Sequence, residues 1–206
     1  MNIAPVIVFA YNRPEHVRRT LDALSHNVLS DESVLFVYCD GAKENADEEN
    51  KRKIEQVRLI ARSIKGFKDV HVIERERNYG LARNIVDAVT RIVNEYGCVI
   101  TLEDDVVTSS GFLRYMNDAL ETYKDEEKVM HISAYMYPHK GRLPETFFFP
   151  VPYPGGGWAT WERAWKYYND DTETLYEQWK DRWNEFDVLG GDYLSKQLIA
   201  NYNGTL

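Results

Sequence analysis

Residues 98–115, CVITLEDDVVTSSGFLRY, carry the reading that decides the fold. An apolar run of strand length passes without a turn residue into Glu103, Asp104 and Asp105, and the spacing of Phe112, Met116, Leu120 and Tyr123 then predicts an amphipathic helix capped by Ser109 or Ser110. Three adjacent carboxylates repel one another, whereas a turn that needs only polarity is served by Asn, Ser or Gly without charge. Two readings stand at this point: a solvated loop whose last acid favours the following helix N-terminus, or a cluster with a cationic partner. The positions of the other polar residues separate them.

The same unit recurs upstream. APVIVFAY is followed by Asn12, Arg13 and Pro14 and by helical spacing through Val17, Leu21, Leu24 and Val28, with Pro14 suited to a first helical turn. SVLFVYCD ends in Asp40 and precedes a charged helix marked by Ile54, Val57, Ala61 and Ile64. DVHVIER is a third strand, with Arg75, Arg77 and Asn78 after it, and the helix through Leu81, Ile85, Val89, Ile92 and Tyr96 is stopped by Gly97. KVMHISAY reads as a fifth strand. Alternating strands and helices with continuous apolar strands imply an α/β fold: a mainly parallel sheet covered by helices on both faces. Ligands of such sheets bind beyond the carboxyl ends of the strands. The acids, Asn12, Arg13 and Asp40 are thereby predicted to share one edge.

From residue 141 the pattern changes. RLPETFFFPVPYPGGGWATWERAW carries Pro144, Pro150, Pro152 and Pro154 before Gly155, Gly156 and Gly157, which is not a strand–helix unit. All five tryptophans lie between 158 and 183, and the spacings of Trp158, Trp161 and Trp165, and of Trp179 and Trp183, suit one face of each of two helices. Core packing is the plainer account of these rings, stacking on a sugar face the sharper one.

Composition narrows the function. Forty-four per cent hydrophobic and 28% charged residues over 206 positions describe a globular chain, and a net charge of −8 argues against a broad nucleic-acid surface. No apolar run approaches a membrane span, and no basic region precedes the first apolar stretch, so a cytoplasmic protein is expected, able to work peripherally at the inner membrane face. Cys39 and Cys98 lie in apolar runs and read as small buried residues rather than a bridge or metal pair. The five histidines are scattered: His131 reads as a core or edge residue, His16 and His26 as solvent-facing. Neither G-x-x-x-x-G-K-[ST] nor a post-strand G-x-G-x-x-G occurs, which removes the main signals of NTPase and dinucleotide sites. A carboxylate cluster at a strand end with Arg and Asn nearby is suited to a hard divalent cation bridging to phosphate oxygens.

VIVFAYNRPEHVRRTLDAL, YCDGAKE, RNYGLARNI and VITLEDDVVTSSGFLRYM, in that order, resemble a GT-A glycosyltransferase. They are similar to bacterial family 2 sugar transferases and to the N-acetylglucosaminyltransferase I group, and FFFPVPYPGGGWATWERAWK resembles the Pro/Gly/Trp loop after that group's fifth strand. The resemblance, from about residue 3 to 170, implies a nucleotide-sugar-binding core at 1–140 and an acceptor-side segment of the same domain at 141–206, truncated at its C-terminus. It assigns Ala10, Tyr11, Asn12 and Arg13 to the wall and phosphate side of the nucleotide pocket and Asp40 to a hydrogen bond with the base. Asn84 falls where eukaryotic relatives carry a histidine near the nucleotide. Asp105 matches the direct metal ligand, with Glu103 and Asp104 toward the ribose, the donor sugar or metal-bound water. Arg13 has its own chemical reading, a fork of donors for phosphate or for a neighbouring acid.

The resemblance further implies a UDP-sugar donor, Mn2+ or Mg2+, inversion, and a glycan or lipid-linked acceptor, in a hexosyl- or N-acetylhexosaminyl-transferase of polysaccharide biosynthesis. The base of the resembled group lies well after the Trp-rich loop, so it is expected beyond Leu206, with Asp192 in LGGDYLSK the candidate within the chain and a helix cap its plainer role. Two alternatives remain open: a nucleotide-sugar-binding module or pseudo-enzyme without a base, and a sugar-phosphate nucleotidyltransferase, for which FAYNRPEH lacks the Gly-rich basic loop after the first strand.

Overall fold

The structure is a computed structural model that describes residues 3–136, 138, 140–142, 156–187 and 192–205. Its contacts divide the chain into two compact units, Met1–Tyr137 with Tyr153–Lys166, and Pro138–Pro152 with Tyr167–Leu206. Pro144, Pro150, Pro152, Pro154 and Gly155, and the two glycines before Asp192, lie outside the described residues.

In the first unit the chain runs β1 (Val6–Ala10), α1 (Pro14–Ser25), β2 (Val34–Cys39), α2 (Glu48–Ser63), β3 (Asp69–Glu74), α3 (Leu81–Tyr96), β4 (Cys98–Glu103), α4 (Phe112–Thr122), β5 (Ile132–Ser133), β6 (Trp158–Trp161) and α5 (Glu162–Trp165). These strands form one six-stranded sheet in the order β3-β2-β1-β4-β6-β5. The first four are parallel, with Val6 opposite both Leu35 and Ile100, and β6 returns antiparallel to β4 and β5. The expected α/β sheet is therefore present, with its antiparallel strands confined to one side.

The continuous apolar strands bury both faces. Val6, Val8, Leu35, Val37, Ile100 and Leu102 pack against Val17 and Leu21 of α1, Val57 of α2 and Leu113 and Met116 of α4. Ile7, Phe9, Phe36, Tyr38 and Val99 meet Ala88, Val89, Ile92 and Val93 of α3 on the other side. Helix α1 begins at Pro14 as expected but ends at Ser25, leaving Val28 46% exposed, while Gly97 closes α3 in the left-handed region at φ 80°. Helix α4 starts after Gly111 with no side-chain cap, and Ser109 contributes only its carbonyl, to the Phe112 amide at 3.1 Å.

The tryptophan spacing misleads. Trp158 and Trp161 belong to strand β6, paired with Thr101 and Cys98 of β4. Residues three apart in a strand point to opposite faces, and Trp161 joins the core under α4 whereas Trp158 joins the α3 side with Trp165. Gly157, at φ +99°, enters the strand where a Cβ would lie 2.9 Å from the Leu102 side chain. KVMHISAY contributes only the two residues of β5 as strand, and His131 before it stacks on Trp158 at 5.5 Å between ring centres. Burial pushes the His131 imidazole down to about 4. Cys39 is buried, its thiol raised by burial to about 12, and no disulfide involves it or Cys98.

The second unit holds α6 (Thr172–Trp179), α7 (Trp183–Phe186) and α8 (Tyr193–Tyr202). Trp179 and Trp183 lie on different helices, because the Arg182 amide closes a tight turn on the Trp179 carbonyl at 2.8 Å. Aromatic pairing organises the unit: Tyr176 stacks on Tyr202 at 4.0 Å, and Trp179 meets Phe186 at 5.0 Å.

Candidate active site at the carboxyl edge of the sheet

In a sheet ordered β3-β2-β1-β4, chain direction along the sheet reverses between β1 and β4, and a crevice opens where their following loops diverge. A cavity of about 320 Å³ occupies that place, within the size range of small-molecule sites. Ala10, Tyr11, Asn12 and Arg13 reach it from the turn after β1, Asp40 from the end of β2, Asn84 from α3, and Glu103 and Asp104 from the end of β4. Eight residues from four separate places in the sequence, all picked from the sequence, thus share one cavity. Asp105 lies beside it, tied to Arg13.

The acids do have a cationic partner. The Arg13 guanidinium donates one arm to Asp104 and the other to Asp105 Oδ2 at 3.1 Å. Asp104 is buried, its side chain 4% exposed, and its backbone carbonyl accepts from Thr20 Oγ1 at 2.8 Å. Asp105 is 46% exposed. Burial raises the Asp104 carboxyl despite the opposing pull of Arg13, and burial, then the neighbouring Asp105 and Asp104 charges, raises Glu103. Arg13 moves up as well: its burial works against the charge, but the hydrogen bonds and charges of the two aspartates outweigh it.

Asp40 is the best-satisfied group of the site. Its Oδ1 accepts from the amides of Gly41 and Tyr79 at 2.9 and 2.8 Å, and its Oδ2 from Asn78 Nδ2 and the Gly80 amide, both at 3.0 Å. A carboxylate offers about four acceptor positions, so the 78–80 loop and the Gly41 amide fill this one. Asn84 is likewise engaged at both ends, accepting from Arg75 Nε and donating to the Gly80 carbonyl, each at 3.1 Å. Arg75 pairs with Asp87 and lies over the rings of Tyr38 and Tyr79.

Phe9, Tyr38, Lys43, Asn78 and Leu81 also line the cavity. Phe9 and Tyr38 were hidden in the sequence because they sit inside apolar strand runs, where nothing marks one strand position as cavity-facing. The hydroxyls of Tyr38 and Tyr11 are buried and make no hydrogen bond among the described residues.

No group of three or more His, Cys, Asp or Glu gathers in a metal-holding arrangement among the described residues. What is present is a half-exposed carboxylate, Asp105, bonded to the cavity residue Arg13. Magnesium-type cations are commonly held by one or two carboxylates plus substrate phosphates, and the donor set fits that type of site. Asp192 belongs to the second unit, at the N-terminus of α8, where its side chain pairs with Lys196 and makes no capping hydrogen bond. That pairing lowers its carboxyl from the ordinary value.

A mainly parallel sheet with a cavity of mixed polar and apolar lining at the reversal point, and acids closing β4, defines an α/β protein with its crevice at the carboxyl edge of the sheet. The GNT-I family model matches residues 1–183, and the chain belongs to this family of glycosyltransferases. No curated protein matches the chain. Among solved structures, that of S. aureus TarS is 13% identical with a TM-score of 0.39, covering 72% of this chain and 24% of that one. S. aureus TarS 1-349 is 15% identical with a TM-score of 0.39, covering 71% and 40%. The chain thus spans less than half the length of either. No helix among the described residues is long and apolar enough to cross a membrane.

Proposed function

We propose that the chain transfers a sugar from a UDP-sugar to an acceptor hydroxyl, with inversion and with a divalent cation, Mn2+ or Mg2+, held at Asp105. The observation that carries this reading is the convergence of the turn after β1, Asp40, Asn84 and the end of β4 on one cavity, with Asp105 bonded to Arg13. Family membership supports glycosyl transfer as the reaction and a nucleotide sugar as donor. In the proposed complex the diphosphate lies toward Arg13, and the sugar and ribose toward Glu103 and Asp104. The base lies toward Tyr38 and Asp40, the latter shaping the 78–80 loop.

The acceptor oxygen forms its bond to the anomeric carbon as the bond from that carbon to the diphosphate breaks, and a carboxylate base takes the acceptor proton. The cation, when bound, neutralises the departing diphosphate. Arg13 adds a fixed positive charge on the same side. Base candidates within the chain are limited by geometry to groups other than Asp104, which is buried against Arg13; Asp192 remains the candidate outside the cavity lining. The proposed acceptor is a glycan or lipid-linked saccharide, and family membership supports a glycan acceptor in general.

Calorimetry of UDP with and without Mn2+, paired with transfer of radiolabelled sugar from a panel of nucleotide sugars, tests this reading. Binding that tightens with Mn2+ and loses that tightening in Asp105→Ala is expected. A preference for guanosine or adenosine diphosphate refutes the uridine assignment, unchanged Mn2+ dependence in Asp105→Ala removes the metal assignment, and tight binding with no transfer from any donor favours a binding module.

A further inference from the structure

Arg13 bridges two carboxylates that are not equivalent. Asp104 is walled in: its side chain is 4% exposed and its carbonyl is fixed by Thr20. Deprived of the guanidinium, it would be a buried charge left with only the Tyr11 backbone amide as partner, an unfavourable state. Asp105 is 46% exposed, and its bond to Arg13 at 3.1 Å lies where water competes, so this arm is held weakly. One arm of the fork is anchored and the other exchangeable. Arg13 is also a cavity residue, so donors released from Asp105 stay beside whatever fills the cavity.

From this asymmetry we infer that Arg13 is an internal counter-ion that occupies Asp105 until a divalent cation takes it, and that the arm so released is then available to the diphosphate. The inference rests on the proposed assignment of a cation to Asp105. It explains why the acids tolerate one another before any cation arrives, and it makes cation and nucleotide binding interdependent. A cation arriving alone competes with a guanidinium arm held on Asp105 Oδ2 and sits near its charge. Arriving with a diphosphate, it finds that arm given a new anionic partner.

The consequence is a pair of effects of opposite sign. Removing the fork relieves competition at Asp105 and removes a donor to the diphosphate. Arg13→Gln is therefore expected to bind Mn2+ alone about tenfold more tightly and UDP at saturating Mn2+ about tenfold more weakly, a tenfold change being the scale of one lost charge-assisted contact. Arg13→Lys keeps a charge for Asp104 but has no second arm, so it shows the same two directions with the buried pair preserved. Free Mn2+ is read by its electron paramagnetic resonance signal, UDP by calorimetry, and folding by circular dichroism; if Arg13→Gln does not fold, Arg13→Lys carries the test. Equal or weaker binding of Mn2+ alone by the folded variants overturns the counter-ion role, while loss of Mn2+-dependent UDP tightening in Asp105→Ala would leave the cation assignment standing. Absence of Mn2+ binding to the wild-type chain, with and without UDP, overturns both.

Discussion

Asp40→Asn separates a base-reading carboxylate from a loop-holding one. The native carboxylate receives four donors, three of them backbone amides, at 2.8 to 3.0 Å in a site 6% exposed. Asparagine keeps one carbonyl oxygen and turns an NH2 group toward donors, so about two bonds are lost and donors face donors. Each buried donor left without a partner costs about 1–3 kcal/mol, and two give roughly 2–6 kcal/mol, reduced if the loop moves to reach water. Urea unfolding measures the stability, and amide hydrogen exchange at Tyr79 and Gly80 locates the change. Wild-type-like stability within about 0.5 kcal/mol, with both amides still protected, would refute the loop-holding account. The binding measurement adds a second axis: a carboxylate that accepts from the uracil imide discriminates UDP from CDP, whose ring nitrogen is itself an acceptor. If Asp40 acts through the loop, Asp40→Asn weakens both nucleotides by similar factors and leaves their ratio within about twofold; collapse of the ratio restores direct base reading.

Two further substitutions probe the same scaffold. Gly41 lies against the backbone of Arg77, where a Cβ would come within 2.4 Å of a carbonyl carbon, so Gly41→Ala must part the two loops and is expected to cost about 2–4 kcal/mol in urea unfolding. A variant within about 1 kcal/mol of wild type contradicts that packing. His131 bears an imidazole pushed down from 6.5 to about 4 by burial, so its neutral form stabilises the fold above pH 6.5 and this contribution is lost as pH falls from 6.5 toward 4. The shift corresponds to on the order of 2–3 kcal/mol after allowance for partial exposure. His131→Phe should therefore flatten the fall in melting temperature between pH 7 and 4.5, and an unchanged fall assigns the acid sensitivity elsewhere.

The strands were legible because a parallel sheet buried on both faces demands continuous apolar runs, and VIVFA, VLFVYC and CVITLE supply them. The convergence of the candidate residues was legible for the same reason: once those strands run parallel, polar residues just past their ends meet at one edge. What pattern alone could not supply was pairing at long range. Trp158, Trp161 and Trp165 have helical spacing, yet β4 has an open edge beside Thr101 and Cys98, and backbone pairing along it outweighs a weak local preference. Arg13 offered its fork equally to a phosphate or to an acid. The geometry gives it acids, across 91 and 92 positions of chain, which no local window reveals. The charge of the EDD run is thus answered by a residue on the same sheet edge, and the physical condition for keeping three acids at a strand end is met by the strand beside it. Under the proposed cation assignment a cation at Asp105 competes with the Arg13 arm, which makes Arg13 the residue whose replacement is expected to move cation and nucleotide affinities in opposite directions.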